Sequence, residues 1–294
     1  NPMSTLATAL YVQRRPTRAG AQTSLFRLIT SSSRKSLLLC SEAGWLTDTL
    51  DGAIVKKWPS PRSLPARLGG LTRFAKKIAN EVREATIVVA NDHHECPLAL
   101  AIAKTLSIPC VAILRTPGMS HHDFQKYLCD NCDSLFIVGD ELRQKVEQWS
   151  SSPLVPFVEG FLESEFTPPP PAPAQFPSEI LIAGSEEPRK GFQDLLQALQ
   201  ILEKEYPAFQ LKKVVLTGQI PDYPIPQLAC ELDFVGRVED FIPFAQGFSF
   251  AIHPSRHETF GLAPLELIIG GIPTLCTATS RSFFQTIDDL SGAS

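Results

Sequence analysis

The chain has 294 residues, 44% hydrophobic and 20% charged, a soluble globular composition that excludes a disordered or fibrous protein. Two units of ~150 residues suit this length, and no apolar stretch reaches the ~18 residues of a spanning helix. Residues 1–166 carry 19 Lys and Arg against 16 Asp and Glu, and residues 167–294 carry 8 against 15; neither balance marks a nucleic-acid binder.

The opening MSTLATALYVQRR places its charges after a short apolar run, the reverse of a secretory signal. Apolar runs at residues 9–13, 36–40, 86–90, 110–114 and 134–138 predict strands, and amphipathic stretches at 21–30, 65–84, 97–106, 122–131 and 140–148 predict helices between them. The stretch from Glu165 to Pro177 holds four consecutive prolines at 168–171. It can join neither sheet nor helix, so 167–177 reads as an extended linker. Beyond it come strands at 179–183, 213–217, 232–235, 248–253 and 274–277 and helices at 191–205, 238–245 and 264–269.

Strands separated by single helices imply right-handed crossovers and parallel sheets. The expected fold is therefore α/β, with two Rossmann-like parallel-sheet domains at 1–166 and 178–294 and a ligand in the cleft between their carboxyl edges. Seven cysteines, several in contexts such as LLLC and PTLC that read as buried strand, point to a reducing, cytoplasmic protein without disulfides.

The stretch 250–276, FAIHPSRHETFGLAPLELIIGGIPTLC, carries the chemistry. An apolar strand ends at His253 and Pro254, a loop follows with Glu258, and a helix opens with Pro264 in its first turn and closes at Gly270 and Gly271. The backbone N–H groups of Gly261, Leu262 and Ala263 then face an incoming anion with the helix dipole behind them. Glu258 and Glu266 are carboxylates in that setting, suited to sugar hydroxyls rather than to phosphate.

This segment resembles the Glu-x7-Glu region of the retaining family 4, or group 1, glycosyltransferases, whose two facing Rossmann-like domains form the GT-B fold. Their pattern runs close to PSxxEgFGlxxlEAmAxGxPv; this chain has PSRHETFGLAPLELIIGGIPT. ILIAGSEEPRKGFQDLLQALQIL, LDFVGRVEDFIPFAQGFSFAIHPS and VPFVEGFLESEFTP are similar to further stretches of the family, and RAGAQTSLFRLI to its first Gly-rich turn. The resemblance implies a nucleotide-sugar-dependent transferase of polysaccharide biosynthesis with no metal cofactor. Glu258 and Lys190 would be catalytic, Glu258 on the donor sugar and Lys190 on the diphosphate. Glu266 would hold the ribose, Val238 the base, and Thr259, Phe260, Gly261 and Leu262 the sugar and diphosphate. Gly20 would let the first domain approach the phosphates, with His93, Arg115 and His121 on the acceptor side. No Asp-x-Asp manganese motif is present.

Three features depart from the family. Ser185 stands where an Arg usually contacts the diphosphate, with Arg189 as the donor-binding candidate in its place or else a solvated loop charge; Arg115 stands where a His is frequent; and 17 residues follow Thr277, so the second domain reads as incomplete. An inactive nucleotide-sugar-binding homologue and a sugar-nucleotide epimerase of the same fold therefore stay open beside the transferase.

Other signals are weaker. NDHHEC at 91–96 and MSHHDF at 119–124 follow strands, but no zinc spacing fits them. Cys129-x-x-Cys132 sits in a helical pattern, and RLGGL at 67–71 lacks dinucleotide spacing. Between Lys56 and Arg83 eight basic residues face one acid, Glu81. Leu64, Leu68, Leu71, Ala75, Ile78 and Val82 share one helical face, with Lys76, Lys77 and Arg83 away from it. Such a face suits either solvent or peripheral contact with an anionic inner membrane surface carrying a lipid-linked acceptor.

Overall fold

The computed structural model describes residues 7–59, 69–169, 177–184, 188–208, 211–256, 258 and 260–277. The chain divides into two compact units, Asn1–Phe161 and Leu162–Ser294.

The first unit holds seven strands, β1 (Thr8–Val12), β2 (Ser36–Cys40), β3 (Ala53–Val55), β4 (Ala85–Ala90), β5 (Cys110–Leu114), β6 (Ser134–Val138) and β7 (Leu154–Phe157). They form one sheet in the order β3-β2-β1-β4-β5-β6-β7, parallel throughout. The central strands TALYV and CVAIL are buried at every position, as a parallel sheet covered on both faces requires. The order reverses between β1 and β4, so the carboxyl ends of these two strands meet at the switch point where such sheets take ligands. The helices are α1 (Gly20–Ser31), α2 (Trp45–Thr49), α3 (Leu71–Glu81), α4 (Cys96–Leu106), α5 (His121–Lys126) and α6 (Asp140–Glu147).

Several elements differ from the sequence reading. β3, β7 and α2 are additional, and β7 lies at the sheet edge, where Pro156 can be tolerated. The expected helix 122–131 breaks after α5, because Leu128 takes a left-handed conformation (φ 57°), and a 3-10 turn (Cys129–Asn131) follows. The Cys129–Cys132 pair thus lies in a tight turn, not a helix. The helix expected over 65–84 is described as α3 alone; residues 60–68, with Leu64, Leu68 and Arg67, lie outside the described residues.

The second unit is a five-stranded parallel sheet, order β10-β9-β8-β11-β12, from β8 (Glu179–Ile182), β9 (Lys213–Thr217), β10 (Glu231–Gly236), β11 (Ala251–His253) and β12 (Thr274–Cys276). Its helices are α7 (Phe192–Glu205), α8 (Phe241–Ala245) and α9 (Leu262–Ile269). Alternation along β8 sends Ile180 and Ile182 to one face, against Phe192, Leu195 and Leu196 of α7. Leu181 and Ala183 go to the other face, with Ala251, Leu267 and Ile272. Each such fully buried large side chain contributes roughly 1.5–3 kcal/mol. Here the order reverses between β8 and β11, placing the ends of these two strands side by side.

Candidate active site

At that second switch point the register of β8 and β11 sets His253 beside Ala183. His253 Nδ1 lies 2.6 Å from the Ala183 carbonyl oxygen, and its Nε2 lies 2.8 Å from Glu258 Oε1. Both ring nitrogens thus face oxygen atoms, one of the backbone and one of the carboxylate. Lys190 Nζ approaches the same Glu258 oxygen at 2.5 Å, from a 3-10 turn (Pro188–Lys190) that precedes α7. Burial pushes the Glu258 carboxyl up, but the His253 hydrogen bond and the Lys190 charge outweigh it and hold the group at about 2.

The turn that brings Lys190 here depends on Gly191. Its φ is +70°, and a Cβ there would lie 1.8 Å from the Pro254 carbonyl oxygen, so only glycine lets the two segments close up. Beside Lys190 lies a shallow pocket open to solvent, walled by Ile182, Phe192, Leu216 and Phe234 and edged by Gly184 and Thr217. Thr217 fixes that edge, its Oγ1 accepting from Gly184 N (3.2 Å). The pocket is apolar on one side and cationic on the other.

Gly261 caps α9 in the left-handed conformation (φ 82°), with no side-chain hydrogen bond at the cap. Phe260 is buried, Leu262 opens the helix, and Glu266 is half-buried in its second turn. Arg189 is exposed, and its carbonyl oxygen accepts from Arg256 N (2.8 Å). Val238 is half-buried between β10 and α8. Ser185 and Thr259 lie outside the described residues. His253 was missed by the sequence reading, which took it as the end of a strand.

In the first unit the corresponding edge is a buried polar network. Arg115, just past β5, pairs with Glu159, and Ser24 of α1 donates to the other Glu159 oxygen. Arg115 Nε donates to Asn91 Oδ1 (3.3 Å), and Asn91 Nδ2 donates to Gln13 Oε1 (2.6 Å). Arg115 stacks its guanidinium 4.9 Å from the Phe157 ring and is buried, not presented to an acceptor. His93 is buried too, its Nδ1 2.9 Å from Asp92 Oδ1. Burial works against the Asp92 charge, yet His93 and Thr116 hold its carboxyl below the ordinary value. His94 brings a third potential ligand atom within 4.8 Å of Asp92 and His93. Asp92 accepts donors at both oxygens, which fixes the His93 ring. His121 is exposed and stacks on Trp149 at 5.4 Å, and Gly20 is exposed at the start of α1.

Residues 177–290 match the family model of the glycosyl transferases group 1. The second unit is a group 1 glycosyltransferase domain. No curated protein matches the sequence. Among solved structures, HepE from Anabaena, in complex with UDP and glucose, superposes with a TM-score of 0.70 at 14% identity over 94% of this chain and 82% of that one. The lipopolysaccharide outer core galactosyltransferase WaaB gives 0.60 at 15% identity, covering 92% and 80% of the two chains. The pneumococcal O-GlcNAc transferase GtfA, with UDP and GlcNAc, gives 0.63 at 10% identity, covering 94% and 85%. The fold is thus that of the GT-B glycosyltransferases, with two parallel sheets of seven and five strands, and the enzyme class is glycosyltransferase.

Proposed function

We propose that this glycosyltransferase is a retaining, metal-independent enzyme that moves a sugar from a nucleoside diphosphate donor to a glycan or lipid-linked acceptor. The observation that carries the reading is the Lys190–Glu258–His253 cluster at the switch point of the second sheet. Glycosyl transfer builds an oxocarbenium-like centre while negative charge grows on the departing diphosphate. Fixed cations and a helix N-terminus stabilise that charge without reorganisation. Lys190 faces the diphosphate, the N–H groups opening α9 support it, and Glu258 accepts donor-sugar hydroxyls, held ionised by its two partners. The half-apolar pocket beside Lys190 takes part of the nucleoside, and Glu266 takes the ribose. The departing phosphate receives the acceptor proton, so no protein base is needed. The UDP, UDP-glucose and GlcNAc complexes of the structural neighbours favour a uridine-linked sugar as the first donor to try.

The exposed basic face of α3 supports a lipid-linked acceptor on an anionic membrane surface, since Arg73, Lys76 and Lys77 are exposed while Ala75 and Ile78 are buried. No helix of the described residues is long and apolar enough to cross a membrane.

Thermal shift against uridine-, guanosine- and adenosine-linked sugars tests the donor. A ligand at 100 times its dissociation constant adds about 2.7 kcal/mol. Activity that persists in a metal chelator supports the metal-free reading, and a strict manganese requirement removes it. A second reading, a chain that binds nucleotide-sugar without turnover, is favoured by Arg115, tied to Glu159 in the interior where the family frequently has a His. Donor stabilisation without transfer to any acceptor would select it.

A further inference from the structure

The three side chains that meet at the second switch point are held with unequal firmness. His253 is the last residue of β11 and has strands on both sides. Ala183 N donates to the Ile252 carbonyl (3.2 Å), and Thr277 N donates to the His253 carbonyl (3.3 Å). The His253 ring packs with Nδ1 2.6 Å from the Ala183 carbonyl oxygen, so β8 fixes it as well as β11. An imidazole has two torsions, and burial with a backbone contact settles both.

Lys190 is different. Its backbone is pinned, since Arg256 N and Ser255 Oγ both donate to the Arg189 carbonyl (2.8 and 3.2 Å), but its ammonium rides on a flexible four-carbon stem. Glu258 lies between β11 and α9, outside any helix or strand. Among the described residues, the groups that bond its carboxylate are Lys190 and His253, and both bonds fall on Oε1. An ionised carboxylate has about four acceptor sites, two on each oxygen. Oε1 is therefore filled, and Oε2 keeps both of its sites for the hydroxyls of a ligand. A lysine that swings toward a departing diphosphate loosens its hold on Oε1, and His253 is then the partner that stays.

We propose that His253 is a positioning residue for glycosyl transfer: through Nε2 it fixes Oε1 of Glu258 and so aims Oε2 at the donor sugar, a role that rests on the proposed contact of Glu258 with that sugar. At 3% exposure His253 is too buried to touch the donor, so it acts through Glu258. Displacing a group at the reacting centre by 1 Å can cost ~100-fold in rate. The Ala183 contact defines the rival role, a brace between β8 and β11. The two roles use different ring nitrogens, which substitution separates. A Gln amide nitrogen stands close to the Nε2 position and keeps a donor for Glu258. An Asn amide nitrogen stands close to the Nδ1 position and keeps the Ala183 contact instead.

The test uses the full chain with His253→Ala, His253→Gln, His253→Asn and Glu258→Ala variants. UDP-glucose, UDP-N-acetylglucosamine, GDP-mannose and ADP-glucose are supplied in turn, and release of nucleoside diphosphate is followed as donor concentration is varied. Affinity for the free nucleoside diphosphate, which lacks the sugar, is measured by calorimetry. His253→Ala and His253→Asn should lower kcat ~10- to 100-fold, with nucleoside diphosphate affinity near the wild-type value. His253→Gln should recover most of that loss. Adding His253→Ala to Glu258→Ala should cost little more, because the two residues act as one unit. Melting temperatures show which variants are folded at the assay temperature; if His253→Ala is not, the Gln and Asn variants carry the comparison. Recovery by Asn rather than Gln would overturn the proposal and make His253 a brace between strands. Wild-type turnover in His253→Ala would overturn it outright, as would a loss of nucleoside diphosphate affinity equal to the loss of turnover. Normal turnover in Glu258→Ala, or no release from any of the four donors by the wild type, would bring down the underlying reading of the site and this role with it.

Discussion

Both sheets of this protein bring polar and charged groups to the carboxyl ends of the strands flanking their switch points, and they use them in opposite ways. In the first unit Arg115, Glu159, Asn91, Gln13 and Ser24 bond to one another inside the protein, with one Arg115 guanidinium nitrogen left buried without a partner among the described residues. In the second, Lys190 and His253 converge on the single oxygen Oε1 of Glu258, which sets an ion pair beside an open pocket. Sheet topology selects the place where charge gathers, while the local pairing decides whether that charge holds structure or meets a ligand. The first edge should therefore answer mutation with lost stability and the second with lost turnover.

The largest effect is expected in the first unit. Glu159→Ala leaves the Arg115 guanidinium buried without its anion, which typically costs about 3–5 kcal/mol. Arg115→Met with Glu159→Leu removes both charges and should recover most of that loss. Urea unfolding of the three proteins measures it. If Glu159→Ala leaves stability unchanged and instead abolishes transfer, the contrast between the two edges collapses.

Acid and base should separate the units next. Glu258 is held at about 2 against an ordinary 4.5, so its stabilisation is present above pH 4.5 and is lost as pH falls toward 2. A shift of that size corresponds to about 3 kcal/mol. Glu95, in the first unit, goes the other way: burial and the Asp92 charge raise it from 4.5 to about 8. Its contribution is full below pH 4.5 and is lost as pH rises through 8. Melting temperature followed against pH should show both limbs. Glu258→Gln should flatten the acid limb and Glu95→Gln the alkaline one; a profile unmoved by either substitution contradicts the assignment.

Lys190→Ala and Glu258→Ala should each lower turnover ~100-fold or more, about 2.7 kcal/mol of transition-state stabilisation. Lys190→Ala should lower the melting temperature less than Glu159→Ala does, since Glu258 keeps its His253 partner. Glu266→Ala should chiefly weaken nucleotide binding. Normal turnover in Lys190→Ala would remove its electrostatic role.

Residue spacing pointed to Lys190 and Glu258, which the structure brings together, because each has a local setting: a turn before a helix and a loop before a helix, each with a motif around it. His253 had no such signal. Its part depends on the β8–β11 register, which sets it beside Ala183, 70 residues away. Arg115 and Glu159 are likewise 44 residues apart, and their pairing follows from the fold of the first unit, not from either local pattern. Periodicity predicted the central strands and the long helices, whose apolar faces are continuous. It missed β3 and β7, which are short and at the sheet edges, and it ran one helix through Leu128, where the backbone turns left-handed.

The smallest effect concerns a surface that neither edge uses. On α3 Ala75, Ile78 and Ala79 are buried, while Arg73, Lys76 and Lys77 are exposed, as is Arg83 just beyond the helix. Lys56 is drawn away to Glu81, so it adds little to the face. Because the apolar stripe is spent on the core, attraction to a membrane would be electrostatic alone, about 1 kcal/mol per charge near an anionic surface. Such attraction weakens as salt shortens the Debye length, from about 10 Å at 0.1 M to 3 Å at 1 M. The protein should therefore sediment with phosphatidylserine-containing vesicles at low ionic strength and be released by ~0.5 M salt. Changing Arg73, Lys76 and Lys77 to Glu should abolish sedimentation while leaving the melting temperature and transfer to a soluble acceptor unchanged, because none of the three touches the core or either edge. Wild-type protein that stays in the supernatant at low salt would make this face a solvated one and the acceptor a soluble glycan.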